Sequence, residues 1–230
     1  MKILGIIGGI GPEATIDYYK SLITIHRKQY PEADPPSILI NSINMKRVVE
    51  LVTANRLQEL VSLFVEEIQT LANARADFGL IAANTPHIVF DEVARASPIP
   101  LISIVEATRD HAEKLGFSRI GLLGTRFTMK ASFFPTVFAR KNIEIRVPNN
   151  DDQDYVHEKY FRELVNGILL EETRAELLNV IQRMKDRDEV EAVILGGTEL
   201  PLILRDADAG IPFLDTTQIH VRAALERMKQ

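Results

Sequence analysis

The sequence predicts an α/β protein of two similar lobes, each a parallel sheet flanked by helices, pseudo-twofold related, with a ligand cleft between them. Three observations predict it. Short β-branched runs alternate with longer amphipathic stretches, the pattern of βα units around a parallel sheet. The chain repeats its own landmarks at nearly equal spacing. At 230 residues, 46% hydrophobic and 26% charged, it has material for one large α/β unit or two of roughly 100 residues, which excludes a disordered tail or a fibrous repeat.

Strands are expected at 2–7, 37–43, 78–83, 99–104, 119–124, 143–147, 190–196 and 211–214. Between them, Leu57, Leu60, Val61, Phe64, Val65, Ile68, Leu71 and Ala72 recur at helical spacing, as do Leu177, Leu178, Ile181 and Met184, and both stripes read as core-facing. The repeat has three landmarks. Ile3-Leu4-Gly5-Ile6-Ile7-Gly8 is echoed by Arg119-Ile120-Gly121-Leu122-Leu123-Gly124, and Ala82-Ala83-Asn84-Thr85-Pro86 by Gly196-Gly197-Thr198-Glu199-Leu200-Pro201. Pro98-Ile99-Pro100-Leu101-Ile102 returns as Gly210-Ile211-Pro212-Phe213-Leu214. The step from Gly8 to Ala83 is 75 residues and from Gly124 to Gly197 it is 73. The expected boundaries are 1–105 plus 215–230 for the first lobe and 106–214 for the second. A cleft lined by the carboxyl ends of both sets of strands is where open parallel sheets bind ligands. Pro148 to Asp154, the most polar stretch, reads as a solvated loop or as a mobile rim of that cleft.

Composition narrows the partners. Asp and Glu total 32 against 27 Lys and Arg, a net charge of −5 without a basic block, which argues against nucleic acid. The longest apolar runs, such as Phe78 to Ala83, are too short to span a bilayer. The run after Lys2 is too short for a signal-peptide core, so a cytoplasmic address is expected. Five scattered histidines give no metal-site spacing, and the absence of cysteine excludes disulfides and thiolate nucleophiles.

Three turns could carry chemistry. Gly9-Ile10-Gly11 opens a G-x-G-x-x-A pattern running to Ala14, with Pro12 suited to a first helical position. It is a dinucleotide fingerprint, a plain tight turn, or a backbone cradle for a small anion. The first needs a carboxylate at the end of the second strand, where this chain has Asn41-Ser42. Ala83-Asn84-Thr85 and Gly197-Thr198-Glu199 each end a buried strand with an amide or hydroxyl where a helix should begin. Unpaired N–H groups at helix starts bind carboxylates, so the two turns could hold the ends of a dicarboxylate; alternatively Asn84 and Thr198 only cap their own helices.

Gly8-Gly9-Ile10-Gly11-Pro12-Glu13-Ala14-Thr15, Asn84-Thr85-Pro86-His87, Leu123-Gly124-Thr125-Arg126-Phe127-Thr128-Met129, Gly197-Thr198-Glu199-Leu200 and Asp215-Thr216-Thr217-Gln218-Ile219-His220 together resemble the aspartate/glutamate racemases that work without pyridoxal phosphate. The resemblance runs from Lys2 into the last helix. It implies the two-lobed fold, an acidic amino acid or small dicarboxylate as partner, no cofactor or metal, and a homodimer. In that family, cysteines before Asn-Thr and before Thr-Glu stand on opposite faces of the substrate Cα, one thiolate removing the proton and the other thiol returning one. Here those positions are Ala83 and Gly197, and neither carries a proton. Each general acid or base contributes typically ~10²–10⁴-fold, so the usual two-thiol racemisation is not expected.

Three explanations compete: a variant disabled to trap substrate, a homologue that binds without turnover, and an enzyme that has recruited other groups. Cysteine restored at both positions is the test that would show whether only the acid–base pair is missing. On the third, His87 is the leading recruit, four residues after Ala83 and titrating near neutral pH, its alternative being a capping role. Glu199 could support the second turn. Thr125 is a candidate hydroxyl donor to a carboxylate, and Arg47 a bidentate clamp or a solvated surface charge.

Overall fold

Eight strands form among the described residues, in the places the β-branched runs predict. A computed structural model describes residues 1–204 and 210–230. The chain divides into two compact units, Met1–Ala107 with Thr217–Gln230, and Thr108–Thr216. In the first, β1 (Leu4–Gly8), β2 (Ile38–Ser42), β3 (Phe78–Ile81) and β4 (Leu101–Ile102) pair in the order β2-β1-β3-β4. In the second, β5 (Arg119–Leu123), β6 (Glu144–Arg146), β7 (Ala192–Leu195) and β8 (Phe213–Asp215) pair as β6-β5-β7-β8. Every pairing is parallel. The internal repeat is therefore a repeat of topology as well as of letters.

The central strands are buried along their length, as the apolar runs require of a sheet covered on both faces. In the first unit Ile6 lies between Ile40 and Leu80; in the second, Leu122 pairs with Ile194. Helices α1 (Pro12–Gln29), α2 (Met45–Thr53) and α3 (Leu57–Asn73) connect the first three strands. Leu60, Phe64, Ile68 and Leu71 of α3 are buried, the stripe expected from their spacing. The equivalent glycines Gly5 and Gly121 let a helix lie close to the sheet. A Cβ on Gly5 would meet Leu71 at 2.9 Å, and one on Gly121 would meet Met184 at 2.9 Å. The start of each central strand is clasped by an acidic side chain: Asp77 accepts from the Ile3 amide (2.6 Å), and Glu191 from the Ser118 and Arg119 amides (2.7 and 2.8 Å).

After the short helix α4 (Phe90–Ala96) and β4, the chain enters the second unit within α5 (Ile104–Leu115) and leaves it at the start of α11 (Thr216–Met228). Val221, Ala224, Leu225 and Met228 of α11 complete the first core beside Leu4, Ile6, Tyr18 and Leu80. The second core gathers Leu123, Val156, Tyr160, Leu177, Ile181 and Met184 around β7. The helices α6 (Arg126–Lys130), α7 (Phe133–Ala139), α8 (Asn150–Arg162), α9 (Glu171–Asp188) and α10 (Leu200–Ile203) belong to this unit.

Two local expectations change. The strand expected at 99–104 is only two residues long, because Pro100 has no N–H to give the ladder and its carbonyl closes the pairing at Gly79. The polar stretch expected as a loop is mostly the opening of α8: Asn149 accepts from the Asp152 amide (2.9 Å), and Asp151 and Asp152 fill a first turn that favours negative charge.

Candidate functional site

Each unit ends its buried middle strand in one of the two polar turns, and the ladders that deliver them match. The Ala82 amide donates to Ile7 O (2.9 Å) and the Gly196 amide to Leu123 O (2.7 Å), so Ala83 and Gly197 begin the departure from the sheet at the same point. Asn84 and Thr198 are buried, 4% and 6% exposed, and Thr85 is half-buried. Neither turn starts a long helix. A 3₁₀ turn, Thr85–Val89, follows the first and the four-residue α10 the second, and neither is capped by a side chain. The helix-terminus argument therefore lapses at both, as does the capping alternative. What the turns offer a ligand is side chains, in a setting where polar groups are withdrawn from water.

The first turn is inert toward protons. His87 is 3% exposed, and its ring stacks on Phe90 with centroids 4.8 Å apart. Nδ1–H donates to Ala83 O (3.0 Å), while Nε2 accepts the Ile104 amide (3.2 Å). Both nitrogens are thus spent on backbone, and the imidazole pins the turn to the start of α5. Burial, with a smaller contribution from the neighbouring His220, pushes its pKa down to about 3. This replaces the proton-transfer role expected of His87 with a structural one. His220 is similarly committed, accepting from the Tyr18 hydroxyl at Nδ1 (2.8 Å) and donating from Nε2 to Ile102 O (3.0 Å); burial lowers it to about 4.

The second turn is built differently. Glu199, 1% exposed, accepts from the Tyr160 hydroxyl and from Thr198 Oγ1 (2.8 Å). Burial first, and then the Glu199 charge, hold the Tyr160 phenol well above the usual tyrosine range. Tyr160 comes from α8, and its ring lies over Gly197. It was missed in the sequence because Val156, Tyr160 and Leu164 form an i, i+4 apolar stripe that reads as core, and they are indeed buried together. The only signal was indirect: a glycine at a strand end without a left-handed turn to require it.

The glycine turn after β1 is tight for a stated reason. Gly9 has φ +80° and Gly11 φ +90°, and a Cβ on Gly9 would also run into the Ile43 backbone. The Gly9 amide donates to Thr15 Oγ1 (2.9 Å), so the turn spends that N–H on its own helix. Asn41, where a dinucleotide fold would carry its carboxylate, donates to Glu67 of α3 (2.6 Å). Thr125 caps α6, accepting from the Thr128 amide (3.2 Å). Arg47 is exposed on α2, with Glu59 at 3.7 Å and Glu50 at 4.0 Å. Among the described residues no cluster of three His, Asp or Glu could hold a metal ion, and no helix is long and apolar enough to cross a membrane.

The matched strand ends also match known proteins. The sequence profile described as Asp/Glu/Hydantoin racemase aligns with residues 7–224. The chain belongs to that racemase family. The aspartate racemase homologue of Pyrococcus horikoshii OT3 is 34% identical, with full coverage of both chains and a TM-score of 0.84. The aspartate racemase of Picrophilus torridus is 25% identical, covering all of this chain and 95% of that one, with a TM-score of 0.81. In sequence, the broad specificity amino-acid racemase RacX of Bacillus subtilis is 20% identical over 226 residues, 94% of this chain and 93% of that protein. Ala83 and Gly197, the positions expected for thiols, stand at the two equivalent strand ends.

Proposed function

We propose that this racemase-family chain takes an acidic amino acid at its two polar turns and exchanges the substrate's Cα proton without a cofactor, by groups other than thiols. The observation that carries the reading is the repeated placement of buried and half-buried polar side chains at the carboxyl ends of equivalent strands. Asn84 and Thr85 serve one turn, Thr198 and Glu199 the other. Thr125, the Gly9-Ile10-Gly11 turn and Arg47 are the remaining contacts we assign to the ligand's carboxylates. Relatives named for aspartate support the substrate class. We place the protein in the cytosol as a homodimer, in keeping with the family resemblance.

The test is deuterium incorporation at Cα of L- and D-aspartate and L- and D-glutamate in heavy water, followed by proton NMR. Exchange above the buffer rate is expected for at least one of the four. A second reading, a homologue that binds without turnover, is favoured by the inert first turn. It predicts thermal stabilisation by aspartate, glutamate, malate or citrate that grows with concentration, and no exchange. A flat thermal response to all four ligands, with no exchange, would remove both readings.

A further inference from the structure

Gly197 is glycine because of Tyr160. Its backbone lies outside the left-handed region, so no turn geometry demands glycine there. Space does. A Cβ built on Gly197 falls inside the contact radius of Tyr160 Cε2, 3.1 Å from Cζ and 3.2 Å from the phenol oxygen. The phenol therefore occupies the volume that a side chain at 197 would fill. It brings an O–H to that place, hydrogen bonded to a buried carboxylate that Thr198 Oγ1 also holds.

We infer that Tyr160, backed by Glu199, is the catalytic proton carrier of the second turn, a phenol and carboxylate standing where the family has a thiol. The inference rests on the proposed function above and names its missing group. In the step, the substrate Cα–H bond breaks and the phenol oxygen takes that proton. The phenol's own proton passes to the Glu199 carboxylate, and the electron pair left on Cα delocalises into the substrate's α-carboxylate. Reversal returns a proton from Glu199 through Tyr160, by then exchanged with solvent. Nothing is oxidised or reduced, and no co-reactant is needed. Burial suits the pair to this work, since a hydrogen bond between a phenol and a carboxylate is stronger in a withdrawn site than in water.

The experiment compares wild type, Tyr160→Phe and Glu199→Gln for Cα deuterium exchange, with thermal shift by the same amino acids measured in parallel. Tyr160→Phe keeps the ring over Gly197 and should lower exchange by about 10²–10⁴-fold while leaving ligand stabilisation in place. Glu199→Gln should lower exchange with little change in the substrate concentration giving half-maximal rate. Replacement of all five tyrosines by 3-fluorotyrosine, whose phenol is more acidic, should shift the pH profile of exchange downward, which a tyrosine that merely packs would not do. Exchange at the wild-type rate in Tyr160→Phe, or an unmoved profile, overturns the role of Tyr160 and leaves the proposed function standing. Ligand stabilisation without exchange in the wild type overturns proton transfer by any group.

Discussion

The turn after β3 and the turn after β7 sit at equivalent points of two sheets with the same strand order, yet they are furnished with different groups. At the first, an imidazole is locked between the Ala83 carbonyl and the Ile104 amide and held neutral by burial. At the second, a phenol, a carboxylate and a threonine hydroxyl form a connected cluster above a glycine that has no room for anything else. One topology has been finished with two unrelated sets of side chains. A side chain at position 197 would meet the Tyr160 ring, so the ring would have to shift to admit one. Restoring cysteine at 83 and 197 therefore also requires Tyr160 to give way at the second position.

Acid should separate the two units most strongly. His87 and His220 titrate near 3 and 4 in the fold against about 6.5 in an unfolded chain, so unfolding takes up protons between those limits. Their contribution to stability is complete above about pH 6.5 and is lost as pH falls toward 3. Each unit of depression is worth about 1.36 kcal/mol, so the loss by pH 4 is on the order of several kcal/mol. Hydrogen exchange followed by mass spectrometry should show β1, β3 and α11 losing protection on acidification before β5 and β7 do. Equal loss in both units would erase the contrast.

Gly197→Cys comes next. Overpacking against Tyr160 should cost about 1–3 kcal/mol in urea unfolding, whereas Ala83→Cys, which starts from a Cβ already accommodated, should cost less. Combining Gly197→Cys with Tyr160→Ala should be more stable than the sum of the two single changes by about 1 kcal/mol or more. Strict additivity would mean that the ring does not fill the place of the missing side chain. The smallest effect belongs to Arg47→Ala. Its ion pairs with Glu59 and Glu50 are exposed, so stability should change by less than about 1 kcal/mol. A selective loss of ligand stabilisation in that variant would assign Arg47 to the carboxylate; no loss would leave it a surface charge.

Much of this architecture was legible in the residues, because a doubled landmark is hard to produce except by doubling a fold. Gly5 and Gly121, or Ala83 and Gly197, could be matched by eye, and the sheets match them in space. The site was legible only in part. His87 carries the right group at the right distance along the chain, but where its nitrogens point depends on Ile104, 17 residues later. Tyr160 lies 37 residues before Gly197, on a helix face whose apolar neighbours conceal it. Hydrophobic periodicity reports that a side chain is buried and is silent about what its polar end meets.

If proton transfer runs only through Tyr160 and Glu199, the double tether on His87 has a stereochemical consequence. A relay confined to Tyr160 and Glu199 attacks and replenishes one face of a carbon only, so the isotope enters while the enantiomer stays as it was. Incubated in heavy water, aspartate would come back labelled yet of unchanged optical rotation: a racemase scaffold reduced to stamping molecules without turning them over.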